Sequence, residues 1–473
     1  MKKSLTPICD FVRGYAKSEN LRLHMPGHKG MSSFAGMETE AEKLDITEID
    51  GADSLYEANG IILESEKNAS RLFGCKTFYS AEGSSLCIRA MLYLAVLAAR
   101  SEGKKPVIAA GRNAHRTFIY AAAMLEPELS VKWLPGKTED SYMSYIPDAE
   151  NIESFICESE RESESEKPTA IYLTSPDYLG NIVDIPPIAA VCKKHGVLLL
   201  IDNAHGAYLK FLPNSLHPID LGADMCCDSA HKTLPALTGG AYLHISQSEP
   251  KMKIAAERAK NALALFGSTS PSYLILQSLD ATNGYLSDGY PEKLAEFAAA
   301  AEKTKIRLGK TGFSFCGVEP LKFTLAAKKY GYYGKELAEI LAEKGIVCEF
   351  ADPDFTVMML TPEIGENGLK RLSGALMSIP RKSEITEMPP SPVPHNYTAK
   401  AFAPSAPAMS IREALFSPNE IVPVQNACGK ILAAASVSCP PAVPIAISGE
   451  RIDENAVECF KYYGIEFCSV VKT

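Results

Sequence analysis

The sequence has no excess of basic residues and no long apolar runs. The first absence argues against a nucleic-acid-binding protein and the second against a membrane protein. Its 48 lysines and arginines are outnumbered by 57 aspartates and glutamates, which gives a formal net charge of −9. Such a chain is a poor default partner for nucleic acid and mildly favours cationic ligands. Runs such as MLYLAVLAA at 91–99 are far shorter than a membrane span, and the basic start MKKSLTPICDFVRGYAK lacks the apolar segment of a signal peptide. We therefore predict a soluble protein without a nucleic-acid or membrane partner.

Paired cysteines are also missing. The chain has 13 cysteines, an odd number, and none forms a C-x-x-C pair. Cys226 and Cys227 are adjacent inside an apolar run, as buried free thiols are and disulfide frameworks are not. This usage predicts a reducing, cytoplasmic environment.

Several sequence motifs typical of nucleotide-binding or metal-binding sites are absent as well. No G-x-x-x-x-G-K-[ST] occurs, and no G-x-G-x-x-G opens a helix. His24 and His28 have the i,i+4 spacing of zinc proteases, but Pro26 and Gly27 between them exclude a helix, and the H-E-x-x-H glutamate is missing. We predict no metal site.

The pattern along the chain divides it into five segments. With 473 residues, of which 46% are hydrophobic, the chain can form two or three domains. We predict a loop-rich N-terminal segment at 1–60, a large domain at 61–289, a small α/β domain at 290–379, a linker at 380–409 and a C-terminal domain at 410–473. The linker assignment rests on seven prolines at positions 380, 389, 390, 392, 394, 404 and 407.

Short Val/Ile/Leu runs alternate with helical patterns throughout the large domain. Strands are predicted at KTFYS, PVIAAG, AIYLTSP, VLLLID and ADMCCD, with helices between them, and residues 251–287 are predicted to form one long helix. Such alternation is typical of a parallel sheet covered by helices, in which ligands bind at the carboxyl ends of the strands. Polar residues cluster at those ends: Gly83, Ser84, Ser85, Asn113, His115, Thr174, Ser175, Asp202, His205, Ser229, His231 and Lys232.

Lys232 and Asp202 are the two residues with the most specific chemistry. Lys232 follows a buried strand and is flanked by small and apolar residues, so a desolvated, nucleophilic amine competes with the simpler interpretation of a surface lysine. Asp202 ends a strand that has no other polar residue, where an unpaired carboxylate is improbable. A pyridoxal phosphate (PLP) enzyme requires this pair, a lysine for the Schiff base and a carboxylate for the pyridine nitrogen. The alternative for Asp202 is a helix cap or a structural hydrogen bond.

Three further elements fit the same cofactor. Gly83, Ser84 and Ser85 lie between a strand and a helix N-terminus, where amide groups and the helix dipole favour an anion such as phosphate. His115 follows the next strand and could stack on an aromatic ring, although a structural role is the commoner one for a single histidine. His205, just past Asp202, could donate to a phenolic oxygen.

In combination, these residues resemble the PLP-dependent ornithine/lysine/arginine decarboxylases in their shorter bacterial form. The resemblance extends over almost the whole chain, in order: LHMPGHKG at 23–30, DITEIDGADSLYEANG at 45–60, LFGCKTFYSAEGSS at 72–85, RNAHRT at 112–117, TSPDYLGNIVDI at 174–185, LLIDNAHGAY at 199–208, SAHKTLPALTGGAYLH at 229–244, STSPSYLILQSLD at 268–280 and PPAVPIAISGERI at 440–452.

The resemblance implies an α/β fold of the aspartate-aminotransferase-like PLP-dependent transferase type. Its large domain would have a mostly parallel seven-stranded sheet, followed by a smaller α/β domain and a small C-terminal α+β domain. The implied activity is PLP-dependent decarboxylation of lysine, arginine or ornithine to cadaverine, agmatine or putrescine. A homodimer or higher homo-oligomer is implied, with STSPSY reaching the neighbouring subunit's cofactor.

The resemblance also assigns roles to individual residues. Lys232 would carry the cofactor, Asp202 would pair with the pyridine nitrogen, His115 would stack on the ring and His205 would lie beside the phenolic oxygen. Gly83, Ser84, Ser85, Ser229 and His231 would surround the phosphate, and His231 or Lys232 would protonate the α-carbon.

The chain departs from the family pattern at a few positions and leaves alternatives open. Asn203 and Tyr208 differ from the usual DEAHGAH, Gly239 replaces a glutamine, and Cys439 replaces a tyrosine. A cationic substrate needs an acidic partner, for which the candidates are Glu48, Asp50, Asp53, Glu349 and Asp352. The alternatives are an aminotransferase or lyase on the same scaffold, and a non-catalytic PLP-binding regulatory paralogue, against which an intact Lys232 and Asp202 argue.

Overall fold

The computed structural model describes residues 4–18, 20–31, 41–135, 145–386, 407–438 and 443–472. The α-helices are α1 (Pro7–Ala16), α2 (Ala41–Leu44), α3 (Ile61–Phe73), α4 (Gly83–Ser101), α5 (Arg116–Leu125), α6 (Ala149–Glu162), α7 (Ile185–His195), α8 (Ala230–Thr233), α9 (Pro250–Phe266), α10 (Tyr273–Leu286), α11 (Tyr290–Gly309), α12 (Gly334–Glu343), α13 (Gly365–Met377), α14 (Ile411–Phe416) and α15 (Glu454–Tyr462). The strands are β1 (Lys76–Ser80), β2 (Val107–Ala110), β3 (Ser130–Trp133), β4 (Ala170–Thr174), β5 (Leu198–Asp202), β6 (Met225–Asp228), β7 (Ala241–Ile245), β8 (Phe315–Cys316), β9 (Lys322–Ala326), β10 (Phe350–Ala351), β11 (Phe355–Met359), β12 (Asn419–Pro423), β13 (Ser436–Ser438), β14 (Pro444–Ile447) and β15 (Phe467–Val471).

The first seven strands form one sheet in the order β1-β7-β6-β5-β4-β2-β3. Strand β2 pairs in parallel with β3 and β4, and β5 pairs in parallel with β6, whereas β7 is antiparallel to both β1 and β6. Strands β2, β4, β5 and β6 are almost wholly buried, as expected where helices cover both faces. The α/β fold with a mostly parallel seven-stranded sheet is therefore confirmed.

Residues 1–101 and 199–292 form one compact unit. Its helix α3 ends at Phe73 because Gly74 adopts a left-handed conformation (φ +72°) and its amide caps the carbonyl of Ser70, as its position in the sequence predicts. Helix α4 is long and apolar enough to cross a membrane by length and composition, although no uninterrupted apolar run within it reaches that length. More than half of α4 is buried inside the protein, and the core helix of a soluble protein passes the same test.

The prediction of one long helix in this unit is wrong. Residues 251–287 form two helices, since Pro271 cannot continue a helix and α10 starts only at Tyr273. At the end of α9 a Cβ on Gly267 would lie 2.0 Å from the Tyr56 hydroxyl oxygen, so a larger residue there would require the Tyr56 side chain to move. Within the predicted loop-rich segment at 1–60, α1 buries Ile8 and Val12.

Residues 102–198 and 293–473 form the second compact unit. Besides β2, β3 and β4 it contains an antiparallel four-stranded sheet in the order β10-β11-β9-β8, and two two-stranded sheets, β12-β15 and β13-β14. A separate hydrophobic cluster packs the last part of the chain: Val424, Ala427, Leu432, Ala446, Ile452, Val457, Phe460, Cys468 and Val470. The predicted domain boundaries stay a prediction, and most of the predicted linker at 380–409 lies outside the described residues.

The cysteines fit the prediction of free thiols. The twelve cysteines within the described part of the chain form no disulfide. Burial raises the pKa of the Cys75 thiol to about 12, and it raises that of Cys226 and Cys227 well above the ordinary value. These thiols act as small apolar side chains. Cys439 lies outside the described residues.

Candidate active site

Lys232 lies in the one-turn helix α8, four residues beyond the end of β6. Its Nζ is 2.9 Å from Nε2 of His205, which follows β5. Lys232 is exposed within this chain, because the one-turn helix carries its side chain past the buried strand. The buried partner His205 nevertheless holds the amine at the edge of the sheet.

Asp202 is the last residue of β5 and only 3% of it is exposed. Its Oδ1 accepts a hydrogen bond from the amide of Ala204 (3.2 Å) and lies 3.7 Å from Sγ of Cys227, its register partner on β6. The carboxylate thus lies at the same sheet edge as Lys232, where parallel strands β5 and β6 both end.

The predicted phosphate cradle forms the first turn of α4. Ser229 Oγ donates to Ser84 Oγ over 2.9 Å, which joins the turn after β6 to this helix start, and Ser85 follows in the same turn. The sequence predicts a free Gly83 amide that could bind an anion. In the structure this amide donates instead to the carbonyl of Gly239 (2.7 Å). Gly239 has φ +99°, and a Cβ there would lie 3.0 Å from the Ala81 carbonyl oxygen, so the glycine that departs from the family pattern is required by this turn.

His231 is fixed by a single carbonyl group. Its backbone amide and its Nδ1 both lie within hydrogen-bond distance of the Gly240 oxygen, at 3.2 and 3.0 Å. A carbonyl can only accept, so Nδ1 carries the proton and Nε2 of the neutral ring has a lone pair. Burial lowers the pKa of His231, which favours this neutral form near pH 7.

His115 belongs to the second unit, whereas the other residues predicted to bind the cofactor belong to the first. It is the N-cap of α5, and its Nδ1 accepts from the Thr117 amide over 3.3 Å and lies 3.0 Å from Thr117 Oγ1. Its ring is exposed. The capping role explains its position in the sequence, and its role in cofactor stacking stays a prediction.

Sequence reasoning missed a buried polar network beneath Ser229. Asp228 ends β6 and is fully buried; its Oδ1 accepts from Asn203 Nδ2 (2.6 Å), and its Oδ2 lies 3.1 Å from Nε2 of both His217 and His244. The signal was present, because the run MCCD ends in a carboxylate just as LLLID does. Asn203 adjoins Asp202, so the network joins the ends of β5, β6 and β7 behind the site.

The His217, Asp228 and His244 ligand atoms lie within 4.8 Å of one another, a grouping that could hold a metal ion. Hydrogen bonds account for this geometry: Thr77 Oγ1 lies 3.0 Å from Nδ1 of His244, so that the ring can accept there and donate through Nε2 to Asp228. Burial alone would raise the pKa of Asp228, but the two imidazoles outweigh it and hold that pKa well below its usual range. Asp228 is therefore a buried, ionised carboxylate at neutral pH.

The acidic candidates for substrate recognition have different environments. Asp53 is saturated, since its two oxygens accept hydrogen bonds from the backbone amides of Ser54, Asn59, Gly60, Ile62 and Leu63. Asp352 is buried and accepts from two backbone amides, and Glu349 accepts from the Tyr178 hydroxyl (3.1 Å). Glu48 and Asp50 are exposed.

Comparisons with known proteins agree with these assignments at the level of the family. Residues 6–314 match the model of the Orn/Lys/Arg decarboxylase major domain, and residues 395–467 match the model of the Orn/Lys/Arg decarboxylase C-terminal domain. The first match alone covers more than half of the chain.

Two curated relatives and one solved structure show how far the similarity extends. Arginine decarboxylase of Bacillus subtilis is 28% identical over 98% of this chain and 94% of its own length. Arginine decarboxylase of Halalkalibacterium halodurans is 28% identical over 96% of this chain and 92% of its own. Lysine decarboxylase A from Pseudomonas aeruginosa has a similar fold, with a TM-score of 0.79 at 17% identity over 98% of this chain and 80% of that one.

Proposed function

The chain belongs to the Orn/Lys/Arg decarboxylase family and is an amino-acid decarboxylase, and we propose that it releases carbon dioxide from lysine, arginine or ornithine with PLP bound at Lys232. The observation that carries the proposal is the convergence of Lys232, His205, Asp202, Ser229 and Ser84 at one edge of the sheet.

The residues of the first unit fit the chemical groups of PLP. A primary amine is available for the aldehyde carbon, a buried carboxylate for the pyridine nitrogen, and two serine hydroxyls at the start of a 19-residue helix for the phosphate. His205 next to Lys232 Nζ suits a position beside the phenolic oxygen. We propose His115 as the residue that stacks on the ring, by resemblance.

Bound PLP supplies an electron sink for the pair of electrons left when carbon dioxide departs. Asp202 maintains that capacity by keeping a negative charge against the pyridine nitrogen. The buried network of Asp228 and Asn203 holds the ends of β5 and β6 in register, which fixes Asp202 relative to Ser229. The contribution of the protein is therefore orientation and preorganised charge.

We propose Lys232, rather than His231, as the proton donor, and the geometry of His231 supports this choice. With Nδ1–H bound to Gly240 and a lowered pKa, His231 is mostly neutral at pH 7, and its Nε2 is an acceptor. A neutral acceptor cannot deliver a proton, so the Lys232 amine would be the better donor to the α-carbon. His205 at 2.9 Å can take up and return the second proton of that amine.

The test of cofactor binding is spectroscopic. Purified protein reconstituted with PLP should be yellow, and Lys232→Ala should lose the absorption band of the lysine-bound cofactor. Lys251→Ala, a change in another lysine of the same unit on helix α9, is the matched control and should keep the band. A colourless wild-type protein would overturn the PLP assignment.

The test of the reaction is a panel of lysine, arginine and ornithine with release of carbon dioxide as the readout. Arginine is tested first because the curated relatives are named arginine decarboxylase. Appearance of a keto acid without carbon dioxide would favour the aminotransferase alternative, and PLP binding without turnover of any amino acid would favour the regulatory paralogue.

We further propose a cytoplasmic enzyme of polyamine-precursor synthesis that works as a homodimer or higher homo-oligomer. The acidic charge, the free buried thiols and the STSPSY segment of the family support this proposal. The exposure of Lys232 within one chain is consistent with a neighbouring subunit completing its surroundings.

A further inference from the structure

A buried ion pair connects the C-terminal domain to the loop that carries His115. Arg112 Nη1 and Nη2 bind Glu450 Oε1 and Oε2 over 2.5 and 2.8 Å, and the two side chains are only 5% and 6% exposed. Glu450 Oε2 also accepts from the Ile447 amide (2.9 Å), so the carboxylate is held on both sides. This bidentate geometry is the strong form of an arginine–carboxylate contact.

The turn that carries Glu450 is specified by the ISGE sequence. The Glu450 amide donates to the Ile447 carbonyl (3.0 Å), which closes a turn around Gly449. Gly449 has φ +88°, and a Cβ there would lie 2.4 Å from the Met409 carbonyl oxygen, so no other residue fits. The C-terminal domain therefore presents a preformed acceptor to Arg112.

Arg112 is three residues from His115, within a short loop that has its own constraints. The Gly111 amide donates to the Tyr172 carbonyl on β4 (2.9 Å), and the Ala114 amide donates to the Gly111 carbonyl (3.1 Å). His115 then caps α5 through Thr117. Arg112 is the only charged side chain of residues 111–114, and its ion pair ties this loop to the C-terminal domain. The Thr174 hydroxyl, which donates to the Asn113 carbonyl (3.3 Å), ties the same loop to the end of β4.

We propose that Glu450 is a positioning residue for the cofactor: through Arg112 it holds the loop at 111–115 and thereby the imidazole of His115. This inference rests on the proposed function, in which His115 stacks on PLP. Removing the Glu450 charge leaves a buried guanidinium without its partner, and the loop must move for Arg112 to reach water. The C-terminal domain would then act on cofactor binding through His115.

A matched control is available at the C-terminal end of α5, the helix that His115 caps. Arg412, at the start of α14, donates from Nη1 to the Ala123 carbonyl near the end of α5 (2.9 Å). Arg412→Gln therefore weakens the attachment of the C-terminal domain to α5 about two turns away from His115, and leaves Arg112 and Glu450 in place.

The experiment compares wild-type protein with Glu450→Gln and Arg412→Gln in the full chain. The dissociation constant of PLP is measured by titration of its absorption, and amide hydrogen exchange is measured without cofactor. We expect Glu450→Gln to raise the PLP dissociation constant about tenfold and to speed exchange at 112–118. Arg412→Gln should lower the melting temperature but keep the dissociation constant within about twofold of wild type.

Equal PLP affinity in wild type and Glu450→Gln would overturn the proposal, whatever the effect on the melting temperature. If Glu450→Gln does not fold, Glu450→Asp takes its place, because aspartate keeps the charge on a shorter side chain. We expect Glu450→Asp to bind PLP with an affinity between those of wild type and Glu450→Gln. If the wild-type protein itself binds no PLP, the proposed function fails. If the wild type binds PLP but Glu450→Gln binds it equally well, only the inference about Glu450 fails.

Discussion

Asp53 is an acidic residue whose geometry decides its role. Both of its oxygens accept backbone amides, from Ser54 and Asn59 on one side and from Gly60, Ile62 and Leu63 on the other, at 2.8 to 3.3 Å. The last three belong to the start of α3, where amides have no partner within the helix. All of its hydrogen-bonding capacity is therefore used inside the protein, which leaves none for a substrate cation.

We expect Asp53→Asn to lower the free energy of unfolding by about 2–3 kcal/mol, because one oxygen that serves three amides becomes an amide nitrogen. Asparagine tolerates the positive φ of this position (+75°), so backbone strain does not contribute. Asp50→Asn, an exposed neighbour, is the control and should be neutral. Denaturant unfolding gives the stability, and a large rise in KM at unchanged stability would contradict this role.

Single residues were predictable from the sequence where burial forced them. Asp202 stands out because a carboxylate ends an apolar strand. Asp228 ends β6 in the same way, yet its partners His217 and His244 lie 11 and 16 residues away on other elements, which no local pattern reveals. The sequence predicts Lys232 near the end of a strand, but its exposure depends on the one-turn helix α8. Four residues are too short a stretch to carry a recognisable helical pattern.

At the scale of elements, the turn between β10 and β11 contains a buried acid. Asp352 Oδ1 accepts from the amides of Asp354 (2.8 Å) and Phe355 (2.7 Å), and its Oδ2 has no hydrogen-bond partner among the described residues. Burial raises the pKa of Asp352 to about 7, with the charge of Asp354 adding to it and Lys328 opposing it. The turn thus contains a carboxyl group that is protonated below neutral pH.

This raised pKa has a definite sign for stability. Between the unfolded value near 4 and the folded value of about 7, the folded state binds more protons than the unfolded state, so stability falls as pH rises through this window. We expect the melting temperature to decline from pH 5 to pH 8, and Asp352→Asn, which resembles the protonated form, to reduce the decline.

Differential scanning calorimetry of both proteins across that pH range measures the effect. Asp288→Asn, an exposed aspartate, should follow the wild-type curve. Identical pH dependence in Asp352→Asn and wild type would show that Asp352 does not titrate in this window.

Among the elements, those with a local signal were predictable. The alternating apolar runs placed β1, β2, β4, β5 and β6, of which the last four are almost wholly buried. Strand β3, which has no buried residue, and β7 were not among the predicted strands. The break between α9 and α10 was missed, because helical patterns lie on both sides and the closeness of Gly267 to Tyr56 is a tertiary contact. The small strands β8, β10 and β13 are two or three residues long and carry too little pattern.

At the scale of the whole molecule, charge links the protein to its substrate class. The net charge of −9 gives a negative potential that attracts a cationic amino acid, and salt screens this attraction over about 10 Å at 0.1 M. We expect KM for the basic amino acid to rise a few-fold between about 0.05 M and 0.5 M potassium chloride while kcat stays constant.

Steady-state kinetics at several salt concentrations measure this effect. A neutral-side-chain amino acid used as a competitive inhibitor is the control, and its inhibition constant should not change with salt. A salt-independent KM would mean that only short-range contacts recognise the cation.

The chain crosses between its two compact units at residues 101, 198 and 292, so that neither unit is continuous in sequence. The segment boundaries drawn from composition could not foresee this, because strand pairing over long sequence separations creates it. The same arrangement governs synthesis: Thr77 on β1 meets His244 on β7 across 167 residues. At ribosomal rates of about 5–20 residues per second, β1 waits roughly 10–30 s for its neighbour. During that interval the nascent chain exposes an unpaired strand and the apolar face of α4. We therefore expect a chaperone that covers apolar surface to matter most at this stage of translation.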